Sequence, residues 1–159
     1  MPLKIKEAIP KDSQTIFDFI MELAIYEKLP NAVKTTVKEI KNSIFSPNST
    51  VKALICEEDG KAIGYAVYFY NYSTWLGKNG IYLEDLYVNE SKRGKGAGKA
   101  MIKYLAKKAI SENCGRFEWA CLDWNTPSRE FYESLGAVAL NEWIGYRLEG
   151  ETLEKFANN

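Results

Sequence analysis

Six residues, Arg93-Gly94-Lys95-Gly96-Ala97-Gly98, have the types and spacing to grip an anion. Glycines at alternate positions keep Cβ atoms from standing between a ligand and the backbone. An apolar strand, Ile81 to Val88, leads into them and a long amphipathic helix leads out. The N–H groups that open a helix have no internal partners and carry the positive end of its dipole. A diphosphate is the expected occupant. Two well-known diphosphate loops fail on spacing. A Walker loop needs Gly-x-x-x-x-Gly-Lys-[Ser/Thr], but Gly98-Lys99 is followed by Ala100 and the position five before Gly98 is Arg93. A dinucleotide fingerprint needs Gly-x-Gly-x-x-Gly; from Gly94 the third position is Lys99, and from Gly96 it is Met101.

What remains is Arg-x-x-Gly-x-Gly directly after an apolar strand, and this resembles the acyl-CoA pyrophosphate loop of the GNAT superfamily of N-acyltransferases. The elements that must position it follow from periodicity. Leu3 to Ala8 alternates as a first strand. Asp12 or Ser13 caps a helix with Ile16, Phe17, Ile20, Leu23 and Ala24 on one face, ending around Tyr26-Glu27-Lys28. Thr36 and Glu39 fit a capping box for a second helix, stopped by Pro47-Asn48-Ser49. Ala53–Cys56 and Ala62–Tyr70 form a hairpin around Asp59-Gly60. Asn71 to Asn79 reads as a polar, aromatic loop.

The helix after the glycines places Ala97, Met101, Tyr104, Leu105 and Ala109 inward and Lys99, Lys103 and Lys107 toward solvent, and Asn113-Cys114-Gly115 closes it. Arg116–Leu122 is a further strand, and Asn125-Thr126-Pro127 starts a short helix running to Leu135. Val138–Leu140 and Tyr146–Glu149 read as strands, and Thr152–Phe156 as a helical turn. The sum is a mixed α+β sheet with helices on both faces.

The 159 residues are expected to form one domain, 1–159, with a sizeable core. A net charge of +0 argues against a nucleic-acid partner, although Lys92, Arg93, Lys95 and Lys99 make a local basic patch. No apolar run approaches membrane-spanning length, and Met1-Pro2-Leu3-Lys4 does not open a signal peptide, so a cytoplasmic protein without a membrane partner is expected. Cys56, Cys114 and Cys121 are odd in number and lack metal-ligand spacing, which reads as free thiols and no metal site. With no histidine in the chain, acid–base work falls to carboxylates, tyrosines or lysines.

Five blocks in order sharpen the resemblance. Tyr72 to Lys78, Tyr82 to Val88, Arg93 to Gly98, Leu122-Asp123-Trp124-Asn125 leading to Phe131-Tyr132, and Glu22 to Leu29 closely resemble the diamine (spermidine/spermine) N-acetyltransferase family, nearest its thialysine N-acetyltransferase branch. The resemblance covers nearly the whole chain. It implies a mostly antiparallel sheet, splayed between the Glu84 strand and the strand from Arg116 to admit acetyl-CoA. It also implies a homodimer.

By the same resemblance Leu86, Tyr87 and Val88 hold the pantetheine arm. Arg93, Gly94, Lys95, Gly96, Ala97, Gly98 and Lys99 take the diphosphate, and Asn125, Pro127, Ser128 and Tyr132 meet the far side of the cofactor. Tyr26, Glu27, Glu84 and Asp85 align with residues that touch the amine.

Acetylating an alkyl amine poses two proton problems. A lysine-like amine has a pKa of about 10.4 and must lose a proton before attack, and the departing thiolate must gain one. Glu84 is the candidate for the first task, through water. The bland alternative is an exposed strand carboxylate, and Asp85 points to the opposite face unless a bulge intervenes. Tyr132 matches the family's proton-donating tyrosine; the bland alternative is a core aromatic beside Phe131. Strand N–H groups near Leu86 or Tyr87 would stabilise the oxyanion of direct attack. One departure concerns the amine. Where the family's polyamine enzymes carry an acidic contact, this chain has Ile144, flanked by Trp143.

The leading expectation is therefore transfer of an acetyl group from acetyl-CoA to a primary amine of a small molecule, in a ternary complex. A non-catalytic acyl-CoA-binding sensor would keep the glycine loop without needing Glu84 and Tyr132 together. A protein or peptide acetyltransferase would need an open groove that Tyr70, Tyr72, Trp75 and Trp143 would obstruct.

Overall fold

A computed structural model describes residues 2–159, and the chain divides into two compact units, Met1–Ala120 and Cys121–Asn159. The first unit carries the whole sheet. Its strands are β1 (Leu3–Glu7), β2 (Val51–Glu58), β3 (Lys61–Ser73), β4 (Lys78–Val88) and β5 (Phe117–Trp119). They lie side by side in sequence order, with antiparallel pairing from β1 to β4 and parallel pairing between β4 and β5. The β2–β3 turn has φ of +53° at Asp59 and +77° at Gly60, the pair of left-handed residues that a two-residue hairpin needs.

Helices cover both faces. On one, α1 (Ser13–Tyr26) and α2 (Val37–Ile44) close a cluster of Ile16, Phe19, Ala53, Ile55, Tyr65, Val67 and Tyr87. The alternate residues of β2 and β3, Leu54, Cys56, Ala66 and Tyr68, are equally buried and face the other way. There they meet α3 (Ala97–Ser111), whose Ala97, Met101, Ile102, Leu105 and Ala109 are buried. Lys99, Lys103 and Lys107 are exposed, as the helical spacing requires. Glu7 binds β1 to this face, accepting hydrogen bonds from the hydroxyls of Tyr68 (3.0 Å) and Tyr104 (3.3 Å).

Several expectations need correction. The segment expected as a loop, 71–79, is mostly strand: β3 runs on to Ser73 and β4 begins at Lys78, with Tyr72 opposite Asn79. Polar and aromatic residues extend this ladder because an antiparallel hairpin needs only backbone partners. At α1 the side chain of Asp12 accepts from Ile9 N–H at 2.8 Å, so it ties the preceding turn and does not cap the helix. Thr36 caps α2 as expected, accepting from Glu39 N–H at 3.1 Å.

β5 spans only Phe117–Trp119, shorter than the 116–122 expected. The segments 138–140 and 146–149 are not strands. Alternating apolar residues make a strand only where a ladder partner is present, and the second unit consists of α4 (Thr126–Ser134), α5 (Gly150–Ala157) and irregular chain.

Candidate functional site

The glycine loop leaves β4 through a short 3-10 turn, Glu90–Lys92. Gly94 and Gly96 take φ of +81° and +87°, in the left-handed region that glycine alone enters at no steric cost. A Cβ at either would meet nothing within 4 Å, so space opens beyond the loop. The first intrahelical bond of α3 runs from Ala100 N–H to Gly96 O at 2.9 Å. The amides of Ala97, Gly98 and Lys99 therefore precede the helical ladder.

The four basic residues of the expected patch divide. Lys92 donates to Glu58 at 2.8 Å. Arg93 turns back, its Nε donating to Val88 O at 2.9 Å and its guanidinium lying 4.6 Å from the centre of the Tyr26 ring. Lys95 and Lys99 are exposed at the loop and the first turn of α3.

Beside the loop, β4 loses its neighbour. Its pairing with β5 covers Ile81–Leu83 against Phe117–Trp119 and ends there, while β4 continues to Val88. Asp85 to Val88 thus keep β3 on one side and have no β5 partner on the other. Leu86, Tyr87 and Val88 lie on this stretch.

The ladder between β3 and β4 slips at the same place. Val67 pairs with Asp85 and Tyr68 with Leu83, so Glu84 is the extra residue of a β-bulge. The alternation expected for Glu84 and Asp85 is thereby broken. Asp85 comes to the α1 face, where the hydroxyl of fully buried Tyr65 donates to its Oδ2 at 2.8 Å. Glu84 is exposed.

Burial pushes the Asp85 carboxyl above the usual carboxylate range, and the Tyr65 hydrogen bond pulls it partly back. Glu27, the residue that ends α1, is raised by burial first and by the Asp85 charge second. Two carboxylates from distant parts of the chain thus share one electrostatic environment. Tyr65 is raised far above the ordinary phenol range by burial, then by Asp85, Glu27 and Glu84. Sequence reasoning missed Tyr65, because local pattern does not reveal which tyrosine lies across the sheet from a carboxylate 20 residues on.

Tyr26 lines an open cleft of about 670 Å³ with Glu22, Tyr87, Asn89 and Arg93. Glu22 organises it, accepting from the Tyr87 hydroxyl at 3.0 Å and from Asn89 Nδ2 at 3.3 Å. Glu22 was not singled out as a site residue by the sequence. Glu84 and Asp85 do not line this cleft.

In the second unit, Asn125 is buried and its Oδ1 accepts from Ser128 N–H at 3.4 Å, capping α4. Pro127 sits within the first turn of that helix and Tyr132 within its body, ring against Phe131 at 5.5 Å between centroids. The three cysteines are free thiols, and burial raises Cys56 and Cys114 above the ordinary thiol range, which disfavours a thiolate nucleophile. Among the described residues, no group of three or more His, Cys, Asp or Glu is placed to hold a metal ion, and no helix is long and apolar enough to cross a membrane.

Residues 17–137 match the Acetyltransferase (GNAT) family profile. The chain belongs to the GNAT acetyltransferase family. Thialysine N-epsilon-acetyltransferase of Sus scrofa is 38% identical to this GNAT chain, over 96% of each. L-ornithine N5-acetyltransferase of Arabidopsis thaliana is 41% identical over 57% of this chain and 40% of its own. An integron cassette protein from the mobile metagenome of V. cholerae has a solved structure with a TM-score of 0.85 and 31% identity, covering 100% of this chain and 99% of that one.

The protein is an acyltransferase of the GNAT type, and the family uses acetyl-CoA as co-substrate. The first unit fits that group. Left-handed glycines border open space, helix-opening amides lie ahead of the first helical bond, and the adjacent strand edge parts from its neighbour.

Proposed function

We propose that this GNAT acetyltransferase acetylates the side-chain amine of a small, lysine-like or ornithine-like substrate in a ternary complex with acetyl-CoA. The observation that carries the reading is the Asp85–Glu27 pair. Burial, with the Asp85 charge acting on Glu27, makes this half-buried carboxylate pair an expensive arrangement that a positive ligand would relieve. A short diamino acid offers one ammonium of that kind. Ile144, exposed where polyamine enzymes carry an acid, argues for a short substrate over spermine.

Acetyl-CoA, when bound, supplies an activated acyl thioester. The amides from Gly94 to Lys99 would hold its diphosphate and the backbone of Leu86, Tyr87 and Val88 its pantetheine arm; Asn125, Pro127 and Ser128 would be further contacts of the cofactor. Tyr26, Glu27 and Asp85 orient the amine. Glu84 takes the ammonium proton through a water, its exposure suiting that route. Tyr132 would supply its phenolic proton to the departing thiolate. Among these groups the cysteines have no part.

The domain reading follows the same line. The pig relative aligns along 96% of this chain, which supports both units working as one catalytic domain. A homodimer is supported by the large apolar side chains left exposed in the second unit, among them Val138, Trp143, Ile144 and Phe156. A cytoplasmic location agrees with the free cysteines.

The test is a substrate screen. Thialysine, ornithine, lysine, short diamines and spermidine are each incubated with acetyl-CoA, and products are read by mass spectrometry. Acetylation of the diamino acids ahead of spermidine is expected. Thioester cleavage with none of these amines modified would remove the reading.

A further inference from the structure

We propose that Tyr65 is a positioning residue for the amine: its buried hydroxyl clamps Asp85 by one carboxylate oxygen so that the carboxylate meets the substrate ammonium in a fixed orientation beside Glu27. This deepens the reading above and rests on its placement of the amine at the Asp85–Glu27 pair.

Geometry supports it in three ways. Tyr65 is fully buried and its ring stacks on Phe19 at 5.6 Å with planes 12° apart, so the hydroxyl has little freedom to move. Asp85 pairs with Val67 and lies two residues from Tyr87, the partner of Tyr65, so regular alternation puts its carboxylate on the face of that hydroxyl, 2.8 Å away. A carboxylate has about four acceptor positions, and the single bond to Oδ2 leaves most of them for a cation.

The charges around the pair point the same way. Glu27 faces Asp85 from the end of α1, Tyr65 from β3, and Glu84 precedes it on β4. Further along this face, Tyr87 and Glu22 are hydrogen-bonded to each other and Arg93 lies over Tyr26 and Tyr87. The donor that Asp85 receives is therefore a neutral phenol. Its pKa is far above any working pH, so Tyr65 only ever donates. A lysine at this place would neutralise Asp85 and repel the substrate. A phenylalanine would leave the carboxylate free to protonate.

The experiment uses the full chain with Tyr65→Phe. KM for the preferred amine and kcat are measured from pH 4 to 9.5 at saturating acetyl-CoA, and CoA affinity and amine binding are measured separately by calorimetry. Loss of a hydrogen bond to a charged group predicts an amine KM raised about tenfold or more, with kcat changed far less. The acidic limb of kcat/KM moves to higher pH, because Asp85 loses the bond that favours its ionised form. CoA affinity stays as in the wild type.

An unchanged amine KM and an unmoved acidic limb overturn the proposal. If Tyr65→Phe does not fold, Asp85→Asn, whose amide oxygen still accepts from Tyr65, takes its place. It must lose amine affinity, and unchanged affinity overturns the proposal equally. Wild-type protein that acetylates no small amine overturns the functional reading and this inference with it, whereas an active wild type with an indifferent Tyr65→Phe sinks only the inference.

Discussion

Arg93 Nε donates to Val88 O at 2.9 Å, tying the start of the glycine loop to the last residue of β4. The same guanidinium covers the rings of Tyr26 at 4.6 Å and Tyr87 at 5.3 Å. One side chain thus sets the path of the loop and braces the end of α1. The residue chosen from sequence as a diphosphate contact acts first as a brace.

Replacing it by alanine removes a charge-assisted hydrogen bond worth about 1.5–3 kcal/mol when well formed and cation–π contacts worth about 0.5–1 kcal/mol at an exposed site. Because Arg93 is exposed, only part of that reaches global stability. The expected outcome for Arg93→Ala is CoA affinity about tenfold weaker with a small drop in Tm, read by calorimetry and thermal melting. Arg93→Lys keeps the charge but lacks the Nε geometry, and should recover little of the loss.

Two classes of glycine should behave differently. At Gly94 and Gly96 an added Cβ meets open space, so the cost of alanine is the left-handed backbone, about 1–2 kcal/mol per residue. Gly94→Ala and Gly96→Ala should therefore weaken CoA binding while shifting Tm by only a few degrees. At Gly64 a Cβ would lie 2.6 Å from Tyr87 O, in the middle of the sheet. Gly64→Ala should lower Tm by roughly 5 °C or more through overpacking.

The contrast also shows what could be read from the sequence. Loop, strand and helix around Gly94 to Gly98 were legible because each has a local signature: a 2-residue period, glycine spacing and a 3.6-residue period. Glu84 and Asp85 were legible as a pair but not as a bulge. The slip depends on how β3 pairs across it, and Leu83-Glu84-Asp85-Leu86 is compatible with either register. The Tyr65–Asp85 bond and the Glu22 network join residues 20 and 65 positions apart in sequence, beyond the reach of local pattern. In the second unit the alternating residues after Gly136 misled, because alternation records burial on one face without naming the partner that makes a strand.

Tyr132 tests the proton donor. As a general acid its removal should cost about 10²–10⁴ in rate. Tyr132→Phe keeps the ring that packs on Phe131, so α4 should hold. Expected are kcat down by about two orders of magnitude or more and CoA affinity within threefold of wild type, measured by thiol release and calorimetry. Turnover equal to wild type would leave Tyr132 as an aromatic packing residue of α4.

The Asp85 carboxylate links activity to stability with a definite sign. Its folded pKa lies above the value of about 3.9 expected in the unfolded chain, chiefly because burial disfavours the ion. A raised carboxylate pKa means the folded state binds the proton more readily. The ionised group therefore opposes folding at all pH values above its folded pKa, and that penalty disappears as pH falls below the unfolded value. Glu27 is raised as well, partly by Asp85, so its penalty shrinks when Asp85 is neutralised.

Asp85→Asn removes the charge and keeps an oxygen for the Tyr65 hydroxyl. The variant should melt above wild type at pH 8, and the difference should narrow as pH falls through the raised folded value toward the unfolded carboxylate value of about 3.9. Its amine kcat/KM should fall by about 10- to 100-fold, as expected for losing a charge-assisted contact. Thermal melts across this range, paired with rates, check both halves. A variant less stable than wild type at pH 8 would mean that Asp85 is held by an attraction stronger than its burial cost, and that its charge serves the fold before it serves the substrate.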